Sequence, residues 1–179
     1  MRGKSHLSLG HYLISHYMDS QPERYKKAFL VGCIEPDRNP MTYFKGSIRS
    51  QWMRGHNYNN ASRFMARLSN RLEHKEKFHI WDYYSLGKLI HYTTDAFTYA
   101  HNDIFPTNLT DHRVYEEALQ NHFLDFMAND PHGYAKPMRS VMSTIRTNHK
   151  DYIRRPADIH TDSRYAFSVC CNVVSLLMK

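Results

Sequence analysis

His91 and Asp95 stand four residues apart in the stretch LIHYTTDAFTYAH, and His112 and Glu116 repeat that spacing shortly afterwards. On a helix, residues i and i+4 share one face a turn apart, so each pair can converge on a single ion. His101 falls between the two pairs. Imidazole and carboxylate donors together suit zinc or a similar first-row cation. In a chain with thirteen histidines one such pair arises readily by chance; two pairs flanking a third imidazole is a much narrower coincidence. Upstream, Asp37 ends GCIEPD, His56 lies in MRGHNY and His6 in KSHLSLG, and these extend the set. The competing reading is a hydrogen-bonded cluster without metal, which must bury several titratable groups at a cost. Taken singly, each has a plainer reading of lower weight: His6 as a structural or surface residue, His56 as an exposed one and Asp37 as a turn residue. The other eight histidines match no ligand position.

Such donors need helices to hold them, and apolar residues recur at three- and four-residue intervals almost throughout. A first helix is expected from about Ser5, with Ser5 as its cap. A second, PERYKKAFLVGCI, ends near Gly32, and EPDRNPMTYFKGS follows as a loop. The third is NNASRFMARLSNRLEH, capped by Asn59 or Asn60. A long fourth helix runs through IWDYYSLGKLIHYTTDAFTYAH to His101, and NDIFPTNLTD is a loop. The fifth is HRVYEEALQNHFLDFMAND, followed by AKPMRSVMSTIRTNHKDYI and SRYAFSVCCNVVSLLMK. The last segment is rich enough in β-branched residues to pass for a strand. A buried helix is the better reading, because no partner strand is evident. The fold expected is all-α: a single compact multi-helix domain over 1–179, with a metal cluster held between helices.

The bulk properties agree. With 179 residues the chain can bury a sizeable core without staples. Its three cysteines, two of them adjacent, make no disulfide framework and no thiolate zinc site. The net charge of +7 favours phosphate-bearing partners, although ordinary surface lysine and arginine would give the same figure. No basic run resembles a nucleic-acid arm. The N-terminal stretch has no continuous apolar core, so neither a signal peptide nor a transmembrane segment is expected, and a cytoplasmic location follows.

The order of these groups carries a resemblance. His6, then the glycine-to-PD segment ending in Asp37, then the loop His56, then LGKLIHYTTDAFTYAH and HRVYE are similar to the zinc-dependent phospholipase C family of bacteria. Distant relatives of that family include single-strand nucleases of the same helical fold. The resemblance spans roughly Ser5 to Phe126 and implies a cluster of two or three zinc ions. It implies that Asp37, His56, His91 and Asp95 hold one ion, and that His101, His112 and Glu116 hold a second. His6 and a bridging Asp95 would hold a third, with help from the N-terminal residue. Secreted members supply a processed N-terminal tryptophan there, whereas this chain has Met1. Three outcomes stay open for the third site: empty, weak, or completed by another group. The length also leaves no room for the C-terminal β-sandwich that some toxins of the family use on membranes.

The resemblance implies hydrolysis of a phosphodiester by a metal-bound hydroxide, with the ions neutralising charge on the phosphoryl oxygens. Asp37 is the expected catalytic carboxylate, acting as ligand and proton acceptor. A phospholipid head group, a nucleotide and nucleic acid all remain open as substrate. Two other functions compete: a nuclease or nucleotide phosphohydrolase on the same cluster, and a non-catalytic metal-binding protein with a closed site.

Overall fold

The computed structural model describes residues 1–39, 57–102, 109–129, 131, 133 and 135–179, and for 109–112 the backbone alone. Seven α-helices occur among the described residues: α1 Gly3–Tyr17, α2 Glu23–Arg38, α3 Tyr58–Glu73, α4 Ile80–Ala96, α5 Leu109–Ala128, α6 Val141–Tyr152 and α7 Ile159–Leu177. A short 3₁₀ turn, Tyr99–His101, follows α4. No strand is present among these residues, and the β-branched C-terminal segment is the helix α7.

Helix α4 is the centre. From Ser85 to Ala96 only Lys88 escapes burial, so this helix is hidden on nearly every side by α2, α3 and α7. Leu86, Leu89, Ile90, Tyr92 and Ala96 join Phe29 and Cys33 of α2, Met65 of α3 and Val169, Cys170 and Val173 of α7 in one apolar core. Where α2 crosses α4, Gly32 faces Gly87. A Cβ on Gly32 would lie 2.2 Å from the Tyr84 carbonyl oxygen, and one on Gly87 would lie 2.1 Å from that of Phe29. The two backbones are therefore in direct contact, which only glycine permits.

Several boundaries differ from expectation, each for a local reason. Ser5 does not cap α1; Arg2 holds the cap position and Ser5 is buried one turn inside. Helix α2 does not stop at Gly32 but continues across Pro36 to Arg38, which puts Asp37 in a helical turn rather than a loop. Proline lacks an N–H and crowds the preceding turn, yet tertiary contacts hold the segment: Lys88 of α4 pairs with Glu35 at 2.8 Å. Asn57, not Asn59 or Asn60, caps α3, accepting from the Asn59 amide. Helix α4 ends at Ala96, short of His101. There the Asn102 side-chain amide donates to the Ala96 and Thr98 carbonyls, satisfying acceptors that a longer helix would have used. Helix α6 begins only at Val141, where Ser140 caps it and the Glu73 carboxylate accepts the Val141 amide at 2.7 Å.

His149 of α6 braces this corner, with Nε2 2.8 Å from Asn102 Oδ1 and its ring stacked on Tyr58. Burial pushes its pKa down to about 4, against a smaller upward pull from a hydrogen bond with Ala96. The fold thus prefers the neutral ring, and stability is present above the ordinary value of 6.5 and lost as pH falls toward 4. We expect a loss of roughly 3 kcal/mol across that window. Denaturation curves of wild type and His149→Gln, compared from pH 4 to 7, should show the difference disappearing toward the acid end.

Candidate metal centre

The six donors of the centre arrive on five elements. His6 comes from the first turns of α1, Asp37 from the last turn of α2, His91 and Asp95 from α4, His101 from the 3₁₀ turn and Glu116 from α5. One ligand atom from each of His6, Asp37, His91 and Asp95 falls within 4.8 Å of every other, and these four form a group able to hold a metal ion. The carboxylate of Asp95 is central and fully buried. Its Oδ1 lies 3.3 Å from His6 Nε2, and its Oδ2 lies 3.2 Å from His91 Nε2 and 3.9 Å from His101 Nε2. Asp37 faces the same space, with Oδ1 3.5 Å from His91 Nε2 and Oδ2 4.0 Å from His6 Nε2. On the other side, His101 Nε2 lies 3.9 Å from Glu116 Oε1.

The imidazoles are oriented by their second nitrogens. His91 Nδ1 lies 2.9 Å from the Cys33 carbonyl oxygen, which can only accept, so Nδ1 carries the hydrogen and Nε2 faces the carboxylates. Thr98 Oγ1 gives its proton to the Asp95 carbonyl at 2.9 Å. It can then only accept from His101 Nδ1, at 2.8 Å, and His101 Nε2 is left facing inward. Pinning the outer N–H of a ligand histidine in this way is characteristic of metal sites. His6 differs: its Nδ1 is buried with no partner among the described residues, while its ring stacks on His91 at 4.0 Å.

Met1 enters the same cluster. Its amino group donates to Asp95 Oδ1 at 2.7 Å and lies 3.1 Å from Glu116 Oε1. Its carbonyl oxygen lies 3.1 Å from His6 Nε2. The charges respond to this crowding. Burial alone would lower the Met1 amine, but Asp95, Glu116 and Asp37 outweigh it and push the pKa up to about 10. Burial alone would raise Asp95, yet His101, the Met1 amine, His91 and His6 hold it well below the usual carboxylate range. Burial and the neighbouring His91 lower His6, whereas Asp95 and Asp37 overcome burial and raise His91. Three carboxylates therefore gather around a buried point that draws positive charge to itself. Nitrogen and oxygen donors, imidazole tautomers set by outer hydrogen bonds and an excess of negative charge all fit a zinc-type cation.

Of the eight residues singled out by sequence, the structure brings six together: His6, Asp37, His91, Asp95, His101 and Glu116. His56 lies outside the described residues. His112 lies on α5, four residues before Glu116, and its side chain is outside the described part. Sequence reasoning missed Thr98, whose position three residues before His101 was its only signal. It also missed the Cys33 carbonyl, which no sequence pattern marks. His122 and His160 hydrogen-bond to each other at 2.9 Å, apart from this cluster.

The described residues form an all-helical array with a buried His and carboxylate cluster at its centre that could hold a metal ion. The family model for zinc-dependent phospholipase C matches residues 5–159, and the chain belongs to that family. Membership carries metal-dependent hydrolase chemistry and zinc dependence with it. No curated protein and no solved structure matches the chain. No helix among the described residues is long and apolar enough to cross a membrane.

Proposed function

We propose that this chain is a zinc-dependent phosphodiester hydrolase. The observation that carries this reading is the convergence of His6, Asp37, His91 and Asp95 on one buried point, with His101 and Glu116 beside them. Zinc bound among such donors supplies a nucleophilic water near neutral pH and neutralises charge on phosphoryl oxygens. Asp95, faced by three imidazoles, is the carboxylate shared between the two groups of donors. Asp37 is its more exposed counterpart, 28% accessible where Asp95 is closed, so solvent reaches it. We assign to an Asp37 oxygen the proton of the attacking water, with His91 Nε2 3.5 Å from that carboxylate as its fellow donor. The Met1 amino nitrogen and carbonyl oxygen stand next to Asp95, Glu116 and His6, and once the ammonium gives up its proton they would hold a third ion alongside the two held by the side chains.

The net charge of +7 also favours a polyanionic substrate, which keeps a nuclease as the second reading. Zinc-reconstituted protein is expected to carry two or three ions by elemental analysis. It should turn over a chromogenic phosphodiester, stop on chelation and recover with zinc. Parallel assays on phosphatidylcholine vesicles and a single-stranded oligonucleotide assign the substrate class. A zinc-loaded protein inert toward all three would overturn the proposal.

A further inference from the structure

Asp162 lies on α7, beyond the residues matched by the family, and is fully buried. Its Oδ2 accepts the backbone N–H of Tyr99 at 2.8 Å and the phenol of Tyr115 at 2.6 Å. Its Oδ1 accepts the phenol of Tyr152, also at 2.6 Å. The three donors come from three different elements: the Tyr99–His101 turn, α5 and α6. No cation pairs with Asp162 among the described residues, so a carboxylate is buried here for its hydrogen bonds alone. Burying an unpaired carboxylate is expensive, and such a group persists only where its acceptors are needed.

Their need is visible in the sequence positions of the donors. Tyr99 is two residues before His101, and Tyr115 immediately precedes Glu116. The Tyr99 and Tyr115 rings also meet edge to face at 5.9 Å. One carboxylate thus ties together the two elements that present the donors on the far side of Asp95. The ligand-bearing turn is a single 3₁₀ turn and cannot hold its own position through helical hydrogen bonds. Anchoring its first N–H to α7 sets where His101 Nε2 falls between Asp95 and Glu116, 3.9 Å from each.

We propose that Asp162 is the positioning residue for the second group of metal donors, holding His101 and Glu116 in register against α7. This rests on the reading of the centre as a two-ion site or larger. Asparagine at 162 keeps one oxygen able to accept from both Tyr99 and Tyr115, and the Tyr152 hydroxyl can turn to accept from its amide. Alanine removes all three acceptors.

The test is zinc binding by wild type, Asp162→Ala, Asp162→Asn and Tyr115→Phe, read by elemental analysis and by competition with a chromogenic chelator. Wild type is expected to bind at least two ions. Asp162→Ala should keep one at wild-type strength and bind a second at least about tenfold more weakly, the scale of lost ligand support. Asp162→Asn should restore most of that affinity. Tyr115→Phe loses a single hydroxyl and should weaken the second ion with little change in melting, so it decides the matter if the alanine variant does not fold. Wild-type affinity for both ions in Asp162→Ala and Tyr115→Phe would overturn the assignment, as would a uniform loss of all ions without rescue by asparagine. A wild-type protein that binds fewer than two ions would instead refute the underlying reading, and the two failures are distinguishable.

Discussion

Asp95→Asn is expected to leave the protein without tightly bound zinc and to lower phosphodiesterase activity by at least about 100-fold, the upper range seen for lost outer support and a floor for a ligand. Among the described residues the Asp95 carboxylate is the one group that faces His6, His91, His101 and the Met1 amine at once. An amide offers one acceptor oxygen and no charge, so it can neither bridge nor balance four nitrogen groups. Stability should fall as well. The substitution breaks the buried pair between Asp95 and the Met1 ammonium at 2.7 Å, which costs about 3–5 kcal/mol. Elemental analysis and chemical denaturation of the metal-free protein read the two effects separately. Asp19→Asn serves as control, because Asp19 is 87% exposed and far from the centre in its bonding. An Asp95→Asn protein that kept its full complement of zinc would show that the shared-carboxylate assignment is wrong.

Gly87→Ala should be the most damaging change outside the donors themselves. The added methyl would meet the Phe29 carbonyl oxygen at 2.1 Å, the Cys33 nitrogen at 2.8 Å and the Gly32 carbonyl carbon at 2.9 Å. All three are backbone atoms, so no side chain can swing aside and α2 must move away from α4. Overpacking of this kind costs about 3 kcal/mol, at the upper end of its usual range. The centre is damaged by the same displacement. Asp37 rides on α2 five residues after Gly32, and His91 on α4 four residues after Gly87. The His91 to Cys33 carbonyl bond spans the crossing itself. A shift of about 1 Å there is enough to lower activity on the order of 100-fold. Thermal melts and zinc competition should both register it. Gly3→Ala, where the added methyl would meet Asp37 Oδ2 at an ordinary 3.9 Å, should melt close to wild type. Wild-type melting and zinc affinity in Gly87→Ala would contradict the close-crossing account.

The parts of the centre legible in sequence are those whose geometry is local. His91 and Asp95 share a helix, so their spacing alone places them on one face, and their nitrogen and oxygen meet at 3.2 Å. The His112 and Glu116 spacing was equally readable, and Glu116 does reach the cluster. The all-α class followed from periodicity, including for α7, whose β-branched residues pack as a buried helix face. Helix ends are less legible. Pro36 and the loop-like residues around it argued for a break, and only packing against α4 carries α2 through to Asp37. The apolar pattern of the fourth helix continues to His101, and nothing in it shows that Asn102 folds back on the Ala96 carbonyl.

The sequence by itself determined the donor types, the i, i+4 pairs and the helical frame, because each depends on residues less than two turns apart. Tertiary structure alone decided which donors share a point. Met1 meets Asp95 across 94 residues, His91 meets the Cys33 carbonyl across 58, and Asp162 gathers Tyr99 and Tyr115 from 63 and 47 residues away. Such distances are set by how closely helices approach, and for the His91 to Cys33 contact that approach is controlled by two glycines with no side chain between the backbones of α2 and α4. No spacing rule along a chain encodes a contact defined by the absence of a side chain.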